Sequence, residues 1–292
     1  MAKARTLDKR RKSIKNIRKI TRTMELVATA QFRPAMLRAI AADAYAKRIV
    51  RLVSDLANVG GEAEHPLLEK RLSKKNAVLF ILTANRGMCG GYNSGVLRVG
   101  VERLAELQKE FGNVELFVSG KRGLSYLKYR GIPVERSFMN FDHKPAYDDV
   151  LDIANECMAR FKTGEVDRVE VVYAKYVSTS KQIPTAEVLL PLADVSVDED
   201  NCRTENSLEY EFLPSPTSIL EEVVPNSVRV NLFKCFLDAA VSEQIARMMA
   251  MKAATDNADT MVSNLTTTYN RARQSQITNE IIEVVSGASA LL

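Results

Sequence analysis

After Pro225 the chain contains no further proline and only one glycine, Gly287. Turns are thereby excluded from about sixty consecutive residues, which read as a single helix spanning roughly 90 Å at 1.5 Å per residue. Histidine is nearly missing, with only His65 and His143, and the four cysteines (Cys89, Cys157, Cys202, Cys235) are widely spaced and form no CxxC pair. This pattern argues against a metal centre and against a disulfide framework, and it fits a reducing compartment. No run of about eighteen apolar residues occurs, so no segment reads as a helix crossing a bilayer. Acidic side chains are almost lacking at the start: from Lys3 to Arg22 ten cations face one carboxylate, Asp8. The overall composition is that of a globular chain, 46% hydrophobic and 26% charged, with a net charge of +5 that is unevenly distributed.

Two long amphipathic stretches are present. Near the C-terminus, Val241, Ile245, Met248, Met251, Ala254, Ala258, Met261, Leu265, Tyr269 and Ala272 follow at steps of three and four, on one helical face. Ile277, Ile281, Val284 and Ala288 resume the stripe after one slip. The seam is narrow and rich in Ala and Met, the pattern of a helix that pairs with another long helix. A matching stripe runs through Leu7, Ile14, Ile17, Met24 and Ala28 and continues through Leu37, Ile40, Ala41, Ala44, Leu52 and Leu56 to Gly60-Gly61. Pro34 interrupts it and predicts a kink near Gln31 to Arg33. The basic start has the amphipathic stripe of mature structure rather than the pattern of a cleaved transit peptide.

Between these stretches the texture changes. Glu62 to Asn76 is polar and reads as a linker. Ala77 to Thr83, Val114 to Val118, Val169 to Val177 and Ala186 to Leu190 read as strands, and Ser94 to Phe111, Gly123 to Tyr129 and Tyr147 to Phe161 as helices. Alternation of this kind predicts a small Rossmann-like α/β domain with a largely parallel sheet. Asp194 to Glu211 is acidic and irregular, and Pro214, Pro216 and Pro225 mark the return to helix. The layout is an N-terminal helix over residues 1–60, an inserted domain over 61–215 and a C-terminal helix over 216–292.

Candidate chemistry is sparse. Gly87-Met88-Cys89-Gly90-Gly91 follows a strand and precedes a helix, yet it lacks the GxxxxGK of a phosphate loop and the GxGxxG of a dinucleotide site. A glycine-rich turn is the simpler reading. Cys89 has no base at hand, since His65 and His143 sit in polar loops, and it reads as structural. Lys121-Arg122 opens a helix, and the cluster of Asp194, Asp198, Glu199 and Asp200 lacks calcium-loop spacing. The basic N-terminal face is the main remaining signal and would bind a polyanion, either nucleic acid or an acidic protein surface. Aromatics for stacking on bases are absent before Phe32, which favours the acidic protein surface.

KSIKNIRKITRTMELVA (Lys12 to Ala28), NRGMCGGYN (Asn85 to Asn93), SEQIARMMAMKAATDNA (Ser242 to Ala258) and YNRARQSQITNEIIEVVSGA (Tyr269 to Ala288) resemble the gamma subunit family of F-type ATP synthases, in the family's order and over essentially the whole chain. The resemblance implies a long antiparallel coiled coil of the two terminal helices with the α/β domain inserted, serving as a non-catalytic rotor shaft without cofactors. It implies a head of alpha and beta subunits around the coil, with the epsilon subunit and the c-subunit ring beneath. Ion flow would turn the ring and shaft and drive ATP synthesis or hydrolysis at beta-subunit sites.

Carried over by position, contacts with the alpha/beta head fall on Met24, Glu243, Arg247, Arg273, Gln274, Thr278 and Glu280. Met24 reads equally as a seam residue. The ring-facing foot falls on Ile40 to Arg48 and on Asn206 to Glu211. Pro34 departs from the family pattern, and the cysteine-bearing segment of chloroplast relatives is not seen. The expected location is the cytoplasmic face of a bacterial plasma (inner) membrane, peripheral and attached through the ring. The competing reading is a basic coiled-coil protein that binds nucleic acid.

Overall fold

The computed structural model describes residues 4–59, 65–69, 74–141, 144–192 and 216–289. His143, Cys202, Gly60-Gly61 and the acidic segment from Asp194 to Glu211 lie outside the described residues. The elements in order are α1 (Ala4–Val59), β1 (Asn76–Leu82), α2 (Tyr92–Glu110), β2 (Asn113–Ser119), α3 (Lys121–Tyr129), β3 (Arg136–Phe138), α4 (Tyr147–Thr163), β4 (Arg168–Ser178), β5 (Lys181–Leu190) and α5 (Pro216–Ser289). The chain divides into two compact units, Met1–Thr29 with Arg247–Leu292, and Ala30–Ala246.

In the larger unit five strands form one sheet in the order β3-β2-β1-β4-β5. Every pairing is parallel except the β4–β5 hairpin, which is antiparallel. The apolar run of β1 is explained by its central place, because both of its faces are covered. Val78, Phe80 and Leu82 enter a core shared with α4 and α5, whereas Ala77, Leu79 and Ile81 enter a second core under α2. Helix α2 lies close on the strand at Gly100, where an added Cβ would stand 2.7 Å from Ile81 Cδ1. Charge pins the same helix, since the buried Glu170 of β4 accepts from Arg103 Nε at 2.6 Å and is also paired with Arg168. The C-terminal helix is tied to the sheet by the Ser242 hydroxyl, which donates to the Ala174 carbonyl at 2.8 Å, and by the Tyr92 hydroxyl, which donates to that of Ala239 at 3.2 Å.

Several expectations are corrected. Helix α5 runs through Pro225, so the unbroken helix is longer than the sixty or so residues read after that proline. Proline inside a helix removes one N–H bond, but burial of Leu220, Val224 and Val228 on one face offsets that loss. Pro216 stands at the first helical position, where its missing N–H costs nothing. Helix α1, as expected, stays one helix across Pro34. Strand β3 was not legible in the sequence, and β5 begins at Lys181, taking in Pro184 at the sheet edge, where proline is tolerated. Part of the presumed linker belongs to the core: Leu67 is fully buried, and its carbonyl accepts from Leu192 N at 3.1 Å.

The largest correction concerns the inner face of α1. Leu37 and Ile40 are 65% and 53% exposed, Leu52 is exposed, and Ala41 and Ala44 are too. The residues turned inward are Phe32, Ala35 and Ala39, which pack with Leu237, Val241 and Ile245 of α5. A seam between closely approaching helices selects small side chains, so the larger apolar ones are left on the other face.

Candidate functional site

The glycine-rich loop after β1 is closed on itself. Asn93 Oδ1 accepts from Ala84 N at 2.9 Å, its Nδ2 donates to Cys89 Sγ at 3.1 Å, and Asn85 Oδ1 accepts from Lys121 N at 3.1 Å. Cys89 is buried and Met88 has φ 62°. Two asparagine side chains thus hold the turn that a phosphate would organise in a nucleotide loop. Behind it, Gly120 has φ 98°, and a Cβ there would stand 2.1 Å from the Thr83 carbonyl oxygen, so only glycine fits. Among the described residues no group of three or more His, Cys, Asp or Glu is placed to hold a metal.

In the smaller unit the two helices pair in opposite directions. Arg11 lies 4.7 Å from the ring centroid of Tyr269, Arg18 pairs with Asp259 at 2.6 Å, and the Thr21 and Thr255 hydroxyls meet at 2.9 Å. The inward side of α5 follows the expected stripe through Met251, Ala258, Leu265, Tyr269 and Ala272. Thr255 is buried on this face, and Met261 is exposed while Val262 is partly buried in its place. The buried Thr21–Thr255 pair was not anticipated, because threonine carries no apolar signal.

From Arg273 to Ser289 every residue of α5 is exposed. Ile277, Ile281, Ile282, Val284 and Val285 therefore keep the periodicity of a seam without covering it. Helix α1 starts at Ala4, and its Arg11 already lies over Tyr269, so little of α1 remains to pair with these last turns. The hydroxyls of Thr266 and Thr268 donate to the carbonyls of Val262 and Asn264 at 2.7 and 2.9 Å, inside their own helix.

The basic face of α1 is partly neutralised. Asp8 pairs with Arg11 at 2.6 Å and Lys12 at 3.0 Å, and its carboxyl is held below the usual range, chiefly by hydrogen bonding from Lys12. Arg22 reaches Glu25 at 2.9 Å. Arg5, Lys9, Arg10, Lys15 and Lys19 have no carboxylate partner among the described residues.

The carried-over residues fall into three settings. Met24 is half-buried and Arg247 is buried, both in the smaller unit. Glu243, in the larger unit, is half-buried and borders a cavity of about 20 Å³ with Tyr92 and Phe236. Arg273, Gln274, Thr278 and Glu280 are exposed on the unpaired turns, where Gln276 Nε2 donates to Glu280 Oε1 at 2.9 Å.

Sequence reasoning also missed a buried charge group in the larger unit. Lys234 pairs with Asp43 at 2.8 Å. Burial would raise the Asp43 carboxyl, but Lys234 and Lys47 together hold it below its usual range. Burial pushes the Asp238 carboxyl up to about 7. His65 is also buried; its Nδ1 accepts from Leu67 N at 3.2 Å, and burial lowers its pKa.

Two helices in antiparallel pairing, one carrying an exposed apolar stripe beyond the pair, in a chain that also holds an α/β sheet, have the features of a subunit that packs into a larger assembly. The comparisons with known proteins specify which assembly. A sequence model of the ATP synthase family matches residues 3–291. The ATP synthase gamma chain of Rhodopirellula baltica is 54% identical over 294 residues, covering 100% of this chain and 99% of the relative. That of Leptospira biflexa is 38% identical over 291 residues, covering 100% of each. Among solved structures, a chain of the Euglena gracilis mitochondrial ATP synthase rotor in rotational state 1 superposes with a TM-score of 0.63 at 19% identity, covering 94% of this chain and 98% of that one. The chain belongs to the ATP synthase gamma-chain family, the non-catalytic central rotor stalk of the F-type enzyme. That membership leaves the nucleic-acid reading without support. Among the described residues no helix is long and apolar enough to cross a membrane.

Proposed function

We propose that the chain couples rotation to catalysis by carrying the unpaired turns of α5 and the adjoining helix pair inside a head of alpha and beta subunits. The observation that carries this reading is the run of exposed residues from Arg273 to Ser289, with an apolar stripe that none of the described residues covers. Arg273, Gln274, Thr278 and Glu280 would meet the head on these turns, and Met24, Glu243 and Arg247 would meet it elsewhere on the stalk. Arg247 and Met24, which are wholly or partly buried in their own helix pair, would also hold the stalk together.

A rotor surface must pass equivalent partners without locking onto one. Threonine hydroxyls that already donate to their own helix have no proton left for a stator, which suits that demand. The unpaired cations Arg5, Lys9, Arg10, Lys15 and Lys19 would draw acidic loops of the head, with contacts that weaken as salt rises. The segment Ile40 to Arg48, with Ile40 and Tyr45 exposed, would meet the epsilon subunit and c ring, together with Asn206 to Glu211. The working layout is two shaft helices, 1–60 and 216–292, flanking the insert 61–215. The location is the cytoplasmic face of a bacterial plasma membrane, peripheral through the ring.

Mixing the purified chain with alpha and beta subunits from the same organism tests the reading. The expected result is one copy co-eluting with three of each and a rise in ATP hydrolysis. A folded chain that leaves hydrolysis and elution unchanged would overturn it.

A further inference from the structure

We propose that the groove between α2 and α3 is a binding site for a small amphiphilic anion, an apolar body carrying one carboxylate, sulfonate or phosphate. The groove has a volume of about 450 Å³, within the range that holds small ligands. Its apolar lining is Leu97, which is buried, with Val101 and Tyr126, which are half-buried. Around it stand three exposed guanidinium groups, Arg98, Arg122 and Arg130, and Glu102 is the only carboxylate in the lining.

Four other arginines of the α/β body are paired with carboxylates. Arg103 pairs with Glu106 and Glu170, Arg136 with Glu156, Arg160 with Glu115 and Glu165, and Arg168 with Glu170. Arg98, Arg122 and Arg130 have no carboxylate partner among the described residues, although they converge on one groove. Arg130 instead lies 5.4 Å from the Tyr126 ring centroid, so a planar cation and an aromatic face adjoin within the lining. Guanidinium presents several donors in a plane and takes an oxyanion bidentately, while Leu97, Val101 and Tyr126 take an apolar body. Neither half of this lining suits a neutral polar ligand or a cation.

Neither Met24, Arg247 nor any residue of the last turns of α5 belongs to the lining, so the groove is open to test without altering them. The probe is 8-anilinonaphthalene-1-sulfonate, with N-phenyl-1-naphthylamine, the same rings without the sulfonate, as its neutral counterpart. Calorimetry on the full chain should show one saturable sulfonate site, and the double variant Arg122→Ala/Arg130→Ala should weaken it by about tenfold or more while leaving the neutral probe unchanged. Circular dichroism should show the same fold for the variant, since both side chains are exposed and have no carboxylate partner among the described residues. Equal binding of the two probes, or sulfonate binding indifferent to the double variant, overturns the proposal. So does a chain that ignores the sulfonate yet binds anionic phosphatidylglycerol vesicles or an Asp/Glu-rich peptide through the same arginines.

Discussion

Asp238→Asn is expected to stabilise the chain at neutral and alkaline pH and to leave it almost unchanged in acid. Asp238 is buried on α5, where burial raises its carboxyl from an ordinary 3.8 to about 7. Lys234 on its own helix opposes that rise, as does Lys175 from β4, while Asp43 on α1 and Glu187 on β5 reinforce it. A carboxyl with a raised folded-state pKa keeps its proton in the folded chain after the unfolded chain has lost it. Its contribution is therefore most favourable below about pH 4 and is lost as pH rises toward 7, at about 1.4 kcal/mol per pH unit. Over the roughly three pH units between the two values the loss is about 4 kcal/mol, an upper figure because the surrounding charges can rearrange. Asparagine keeps the shape and removes the ionisation. Urea unfolding followed by circular dichroism from pH 4 to pH 8 should show coincident curves for the two proteins in acid and a gap that opens through pH 5 to 7. A gap of constant size across that range, or a wild-type chain that gains stability over the same interval, would refute the reasoning.

Gly120→Ala should cost more than about 2 kcal/mol in the same assay, because φ 98° disfavours any side chain and the new Cβ would collide with the Thr83 carbonyl. Thr255→Val should cost about 1–2 kcal/mol in unfolding free energy by leaving the buried Thr21 hydroxyl with one partner fewer, and Thr21→Val/Thr255→Val should recover part of that loss in a double-mutant cycle. Ending the chain after Ala272 should leave the thermal midpoint within about 1 °C, because every described residue removed is exposed; activation of ATP hydrolysis in the reconstituted head should fall.

The sequence made the sheet legible because its central strands are buried on both faces, so Ala77 to Leu82 stands out as an unbroken apolar run and Val169 to Val177 as a Val- and Tyr-rich one interrupted only by Glu170 and Lys175. Three-residue β3 has no such run, and its Arg136 and Ser137 are exposed. The helices were legible in extent but not in orientation. In α1 the count of large apolar residues selected Leu37, Ile40 and Leu52, whereas the buried face is built from Phe32, Ala35, Ala39 and Ala46. Hydrophobicity rises with side-chain size, but close helix packing rewards the opposite, so the two criteria separate where the chain is held most closely. The last turns of α5 fail for a related reason: their periodicity is real, and none of the described residues covers them. Among the carried-over residues, the family motifs fixed the positions and could not foretell that Arg247 is buried while Arg273 is exposed, since that depends on where α1 begins.

Thr21 and Thr255, which touch, are 234 residues apart along the chain. At a synthesis rate of about 5–20 residues per second, the first helix waits roughly 10–50 seconds for the strand of chain that will cover it. During that interval Ala28, Phe32 and Ala35 lack their α5 companions, and a Lys- and Arg-rich amphipathic segment is presented to solvent. The α/β sheet, whose β1 to β5 emerge together, can form first, so the shaft is the last part of the molecule to close and the part most in need of chaperones while it does.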